Sequence, residues 1–136
     1  MPTVLVATDA DWVFDVVEAA LADEGSTLLR VRSGQAVQPA VTQLNPDLVI
    51  LDLQIGNMGG IAACLALRHE EGMGRLPRVP VLILLDRAAD THLARRSSAD
   101  GWLIKPLDAL RLRRASDALL SGQTYTEEAG FPTVHV

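Results

Sequence analysis

Two kinds of segment alternate along the chain: short uninterrupted apolar runs, and longer stretches in which apolar residues recur at helical spacing. The uninterrupted runs are typical of strands that are buried on both faces of a parallel sheet. The stretches between them are amphipathic and predict helices that cover such a sheet. The predicted strands are Thr3–Ala7, Thr27–Val31, Asp47–Leu51, Val79–Leu85 and Trp102–Ile104.

Five helices are predicted between and after these strands. Gly25 ends the first helix, and Pro39 shortens the second because proline disturbs a helix interior. The third and fourth occupy about 60–71 and 88–98, and the fifth follows Pro106. Five consecutive strand–helix units with right-handed crossovers predict an α/β fold with a five-stranded, doubly wound parallel sheet.

The chain length of 136 residues fits one domain, which we place at 1–122. Residues 123–136 show no periodicity, and we predict a C-terminal tail there, with no output domain. The composition, 49% apolar and 21% charged, is that of a globular protein.

The formal net charge of −5 argues against a general attraction to nucleic acid or to an anionic membrane. The longest apolar runs are far shorter than a bilayer requires. A single cysteine, Cys64, excludes an internal disulfide and a cysteine-based zinc site. We therefore expect a soluble cytoplasmic protein that binds neither nucleic acid nor membrane.

Polar residues follow four of the five predicted strands, at the edge of the sheet where such folds bind ligands. They are Thr8 and Asp9 after the first strand, Asp52 after the third, Asp86 after the fourth and Lys105 after the fifth. Carboxylates with one lysine suit Mg²⁺ and a phosphoryl group, because Mg²⁺ takes carboxylate and phosphate oxygens and a lysine neutralises phosphate. An aspartate can also act as the nucleophile that takes a phosphoryl group as an acyl phosphate.

Two segments resemble the receiver domains of bacterial two-component response regulators. Residues 46–60 read PDLVILDLQIGNMGG, and residues 99–107 read ADGWLIKPL. The resemblance covers about 3–122 and implies a flavodoxin-like, CheY-like strand order. It also implies that the domain takes phosphate from the phosphohistidine of a histidine kinase.

The resemblance further implies a role for each residue that matches a family position. Asp52 matches the phosphoacceptor, and Lys105 matches the lysine that contacts the phosphoryl group and precedes a cis-proline. The implied metal ligands are the carboxylates of Asp9 and Asp52 and the backbone carbonyl of Gln54. The two switch positions of the family fall on Leu85 and Trp102.

The sequence departs from the family pattern at three positions. Thr8 stands in place of one of two acidic residues, so we expect weaker Mg²⁺ binding and slower phosphorylation. Leu85 stands where the family has a Thr or Ser hydroxyl, unless the match slips by one residue and places Asp86 there. Gly56 replaces a proline, which should loosen the loop after the third strand.

Several of these residues also have simpler interpretations. Asp9 could cap the first helix instead of binding a metal. Asp86 could cap the fourth helix or could replace the carboxylate that is missing at Thr8. Trp102 could fill a groove beside the fourth helix or could be a moving switch. Five arginines on the last two helices could form a solvated face or a contact surface; they are Arg95, Arg96, Arg111, Arg113 and Arg114.

The function that we predict is that of an atypical single-domain receiver in a two-component phosphorelay, with a histidine kinase or another signalling protein as partner. A homodimer through the 88–121 face is possible. The alternative is a pseudo-receiver that acts as an interaction module without phosphorylation. We do not expect an enzyme, because a phosphatase that forms an aspartyl phosphate needs a second aspartate where Gln54 stands.

Overall fold

The computed structural model describes residues 1–22, 25–56 and 58–128, and the backbone of 131–135. The five predicted strand–helix units are confirmed, with bounds that differ by a few residues. The elements are β1 (Thr3–Ala7), α1 (Asp11–Leu21), β2 (Thr27–Val31), α2 (Val37–Leu44), β3 (Leu48–Asp52), α3 (Gly60–Gly72), β4 (Val81–Leu85), α4 (Thr91–Arg96), β5 (Gly101–Ile104), α5 (Ala109–Leu120), β6 (Thr124–Glu128) and β7 (Phe131–His135).

The strands form one sheet in the order β2-β1-β3-β4-β5-β6-β7. Strands β1 to β6 pair in parallel, and β7 pairs antiparallel with β6. The order of the first five strands is the predicted doubly wound, flavodoxin-like one. The crossovers therefore bring the carboxyl ends of β1, β3, β4 and β5 to one edge of the sheet.

The predicted strand count of five was wrong, because the described sheet has seven strands. The two additional strands come from 123–136, which we predicted to be a tail. Strand β6 buries alternate residues, Tyr125 and Glu127, against the rest of the protein. A strand whose inward side chains include a glutamate has no apolar alternation, so the sequence pattern did not reveal it.

Two hydrophobic cores lie on opposite faces of the sheet, because successive strand residues point to opposite sides. One core packs under α2, α3 and α4 and includes Val49, Ile83 and the predicted core residue Cys64. The other packs under α1 and α5 and includes Ile50 and Leu112. No helix among the described residues is both long enough and apolar enough to cross a bilayer.

Tyr125 anchors β6 in the second core, and its side chain is buried. Its hydroxyl has no hydrogen-bond partner among the described residues. Burial, and then the charge of Glu127, raise the pKa of Tyr125 above its ordinary value. A raised pKa in the folded state means that stability is fully present below about pH 10 and is lost as the pH rises further.

We therefore expect Tyr125→Phe to leave the stability at pH 7 unchanged or to increase it by up to about 1 kcal/mol, since it removes an unpaired buried hydroxyl. Above about pH 10 the variant should lose less stability than the wild type. Urea unfolding at neutral and alkaline pH measures both effects. An identical alkaline loss in the two proteins would show that Tyr125 does not titrate in this way.

Candidate functional site

Asp52 lies at the carboxyl end of β3, and only 2% of its surface is exposed. Its Oδ1 accepts hydrogen bonds from Lys105 Nζ at 2.7 Å and from the backbone N–H of Gln54 at 3.3 Å. Its Oδ2 accepts from Thr8 Oγ1 at 2.8 Å. These three donors compensate the cost of burying the carboxylate and fix its orientation at the edge of the sheet.

Lys105 directly follows β5 and precedes a cis-proline, Pro106, as the resemblance implied. Its ammonium lies 2.7 Å from Asp52 Oδ1 and 2.8 Å from Asp86 Oδ1. Burial acts to lower the pKa of Lys105, but the hydrogen bonds with the two aspartates outweigh it, and the pKa is raised. Lys105 is thus a fixed positive charge between two carboxylates.

Asp86 does not cap the fourth helical segment, so that interpretation was wrong. A short 3-10 helix, Ala88–Asp90, precedes α4, and its N-cap is Arg87. Asp90 accepts the backbone N–H of Arg87 at 3.1 Å, which satisfies this end of the helix. Asp86 pairs instead with Lys105, which the sequence placed at the same edge of the sheet.

The Thr8 side chain is buried and joins β1 to Asp52. Its hydroxyl accepts the N–H of Ala10 at 3.1 Å and donates to Asp52. Thr8 therefore holds the Asp52 carboxylate directly. A second aspartate at this position could not donate that hydrogen bond.

Asp9 is exposed and contacts the loop that follows β3. Its Oδ2 accepts the N–H of Gly56 at 3.0 Å. The N-cap of α1 is Ala10, without a side-chain hydrogen bond, so the alternative in which Asp9 caps this helix was wrong. Gly56 uses an N–H that the family's proline would lack, and this bond ties the loop to Asp9.

A divalent cation would find a reduced set of ligands here. Asp9 and Asp52 are the carboxylates, and the exposed Gln54 could add its carbonyl oxygen. The described residues contain no group of three or more Asp, Glu, His or Cys side chains placed to hold a metal. Two carboxylates with waters nevertheless fit Mg²⁺, which commonly keeps several waters in protein sites.

The two residues predicted to be switch positions lie in the first core, with different surroundings. Leu85 is buried at the end of β4, opposite Ile104 of β5. Trp102 is also buried, and the Arg95 guanidinium carbon lies 5.4 Å from the centroid of its ring. Its indole Nε1 donates to the backbone carbonyl of Glu127 at 3.0 Å. Trp102 is thus buried between Arg95 and the backbone of Glu127, and Leu85 offers no hydroxyl to the site.

Among the five arginines on the last two helices, Arg95 and Arg111 contact strand β6. Arg111 donates from Nε to Glu127 Oε2 at 2.7 Å and from Nη2 to Glu127 Oε1. These bonds raise the pKa of Arg111 above its ordinary value, against the opposing effect of burial. Arg95 pairs with the exposed Glu128. The sequence signal that we missed is the acidic pair 127–128, which is complementary to the basic helices.

Comparisons with known proteins show which family the chain belongs to. The chain matches the response regulator receiver domain model over residues 4–117. It is 33% identical over 122 residues to the DNA-binding dual master transcriptional regulator RpaA of Synechocystis, and the match covers 88% of this chain and 49% of RpaA. It is 32% identical over 124 residues to the DNA-binding response regulator MtrA of Mycobacterium tuberculosis, and the match covers 84% of this chain and 52% of MtrA. The chain thus spans about half the length of the curated relatives that it matches.

Solved structures show the same fold. The receiver domain of a signal transduction histidine kinase from Syntrophus aciditrophicus superposes with a TM-score of 0.79 at 26% identity, covering 90% of this chain and 92% of that one. The chemotaxis response regulator CheY4 of Vibrio cholerae gives a TM-score of 0.77 at 21% identity, and the match covers 88% of this chain and 98% of CheY4. The family model, the relatives and the fold lead to one conclusion: this chain belongs to the response regulator receiver domain family of two-component signalling.

Proposed function

We propose that Asp52 is the phosphoacceptor of this receiver domain and that its donor is the phosphohistidine of a histidine kinase. The observation that carries the proposal is the Asp52 carboxylate at the end of β3, 2.7 Å from the ammonium of Lys105. In the reaction a carboxylate oxygen attacks the phosphorus, and the phosphorus–nitrogen bond breaks. The imidazole nitrogen keeps the electron pair and takes a proton, and Asp52 becomes an acyl phosphate.

Lys105 neutralises the transferred group in this proposal. Before transfer, its ammonium is shared between Asp52 and Asp86. After transfer, the phosphoryl oxygens are the stronger acceptors, and Lys105 moves toward them. Asp86 competes for the same ammonium, so it should slow this step.

Mg²⁺ would be held by Asp9, by Asp52 and by the backbone carbonyl of Gln54, and it would neutralise charge on the transferring phosphoryl group. Thr8 contributes a hydroxyl in place of a carboxylate, and that hydroxyl already donates to Asp52. Fewer anionic ligands mean weaker binding of the cation. We therefore propose that this receiver needs a higher Mg²⁺ concentration than one with two acidic residues after β1.

The test is intact-mass analysis after incubation with acetyl phosphate and Mg²⁺. We expect the wild type to gain one phosphoryl group and Asp52→Asn to gain none. Asp86→Asn is the matched control, because it removes the other carboxylate bound to Lys105 and should keep the adduct. The adduct should also disappear when a chelator removes Mg²⁺. An adduct on Asp52→Asn, or a folded wild type that gains no mass, would refute the proposal.

The phosphorylation-independent alternative is not supported. A pseudo-receiver has no need to hold a buried aspartate and a lysine in contact, and both are in place here. We propose a histidine kinase or another signalling protein as the partner. The named relatives bind DNA, but the net charge of −5 gives this chain no general affinity for phosphates.

A further inference from the structure

Strands β6 and β7, here called the C-terminal hairpin (124–128 and 131–135), cover the open edge of β5. Backbone pairing between β5 and β6 has one register position among the described residues, Gly101 with Tyr125. Near this point the backbone N–H of Tyr125 donates to Asp100 O at 3.2 Å. The backbone pairing is therefore short, and side chains extend the attachment of the hairpin beyond it.

Glu127 provides the polar part of this attachment, and its side chain is completely buried. Its Oε1 accepts the backbone N–H of Ile104 at 2.9 Å, and its carboxylate is paired with Arg111. Its backbone carbonyl accepts the indole N–H of Trp102. Arg111 also donates to the carbonyl of Ile104 at 2.8 Å. Both polar groups of the Ile104 backbone thus depend on one ion pair.

The position of Ile104 in the chain connects this ion pair to the functional site. Ile104 is the last residue of β5, and the next residue is Lys105, whose ammonium contacts Asp52. The peptide that joins Ile104 to Lys105 carries the carbonyl that Arg111 binds, so a backbone shift at Lys105 would reach this hydrogen bond first and then the N–H of Ile104 that Glu127 binds. Hydrogen bonds weaken steeply with distance and angle, so a small shift of Ile104 loosens the attachment.

We infer that the C-terminal hairpin is a displaceable cover of the 88–121 face, and that the Asp52 site releases it through Lys105 and Ile104. The release step rests on the proposed function, whereas the attachment of the cover through Glu127 does not. Leu85 leaves the site without a switch hydroxyl, and this route needs none. A homodimer through the 88–121 face would require the hairpin to move first, since it lies on the β5 edge of that face.

The experiment is hydrogen–deuterium exchange of the full chain, with and without Mg²⁺ and beryllofluoride as a phosphoryl mimic. Binding of the mimic is recorded separately by fluorine NMR. We expect bound beryllofluoride to speed amide exchange in 124–128 of the wild type by about fivefold or more. Unchanged exchange in a wild type that has bound the mimic would overturn the release step.

Two variants test the cover independently of any phosphoryl group. Glu127→Gln keeps the shape of the side chain and removes its charge, so exchange in 124–128 should be about tenfold faster without ligand. Glu128→Gln is the matched control, because its pair with Arg95 is exposed, and exchange should stay within about twofold of the wild type. Equal amide exchange of 124–128 in the two variants would overturn the proposal that Glu127 holds the C-terminal hairpin in place.

The variants also keep the two proposals distinguishable. If beryllofluoride does not bind, the proposed function fails, and the coupling is judged by the side-chain NMR signals of Lys105. Coupling between two sites is reciprocal, so Glu127→Gln should shift those signals and Glu128→Gln should not. Lys105 signals that neither variant changes would overturn the coupling.

Discussion

Replacing Gly60 by alanine is expected to lower the free energy of unfolding by about 2–4 kcal/mol, because the added methyl group has no room. Gly60 is the first residue of α3, and a Cβ built on it would lie 2.5 Å from the carbonyl oxygen of Asp52. It would also lie 3.2 Å from the Cα of Leu53. These contacts are backbone atoms of the strand end, so the helix and the strand must separate.

Gly72, the last residue of the same helix, provides the matched control. A Cβ there meets nothing within 4 Å, and the backbone angle φ is not positive. Gly72→Ala should therefore leave the stability unchanged or raise it by up to about 1 kcal/mol. Thermal and urea unfolding measure the pair, and Gly60→Ala should melt about 10 °C below the wild type.

The same substitution should also impair phosphorylation, since the strand end that it displaces carries Asp52. Acetyl phosphate labelling at a temperature where Gly60→Ala is folded separates the two effects. Equal stability of Gly60→Ala and Gly72→Ala would show that α3 can move away from β3 without cost.

Replacing Thr8 by aspartate should change the stability and the Mg²⁺ response together. Without Mg²⁺ we expect a loss of about 2–4 kcal/mol at neutral pH, because two carboxylates then lie where Thr8 Oγ1 now donates to Asp52 at 2.8 Å. Saturating Mg²⁺ should restore most of this stability, since a ligand that binds the folded state stabilises it. The apparent affinity for Mg²⁺ should rise by at least about tenfold, because the site gains a carboxylate.

Thr8→Asn is the control, since it has nearly the same shape as the aspartate and no charge. It should lose the hydroxyl bond without gaining a response to Mg²⁺. Unfolding curves across a Mg²⁺ titration show how the stability of the wild type and of each variant depends on the Mg²⁺ concentration. If Thr8→Asp and Thr8→Asn respond equally to Mg²⁺, the cation does not bind near this position.

The order of the strands and the position of the functional site could be predicted from the sequence because both depend on local patterns. Buried parallel strands read as uninterrupted apolar runs, and their carboxyl ends follow directly in the chain. Asp52 and Lys105 were therefore placed at one edge, and the structure brings them to 2.7 Å. Their roles as phosphoacceptor and partner lysine stay predictions.

Contacts between distant side chains could not be predicted in this way. Asp86 was placed at the same edge as Lys105, but its ion pair with Lys105, and the bond of Asp90 to the N–H of Arg87, were not predicted. A single sequence does not show which of two nearby aspartates pairs with which partner, because this depends on the three-dimensional geometry. Thr8 is similar, since its hydroxyl turned inward to Asp52.

The C-terminal hairpin was missed for a different physical reason. Its inward side chains are a tyrosine and a glutamate, and the glutamate is buried only because Arg111 meets it. Apolar periodicity detects strands that bury hydrocarbon and fails for a strand that buries a charge. Complementary charge between the basic helices and the pair 127–128 was the available signal.

The sheet that ends in this hairpin also has consequences for aggregation. A sheet that stopped at β5 would present a parallel edge with free N–H and C=O groups, on which a strand of another chain could add. Here the outermost strand is β7, and it contains Pro132, opposite Glu127. Proline has no N–H to donate, so this edge is an interrupted template. Growth of amyloid from this side of the molecule should be slow unless the hairpin detaches.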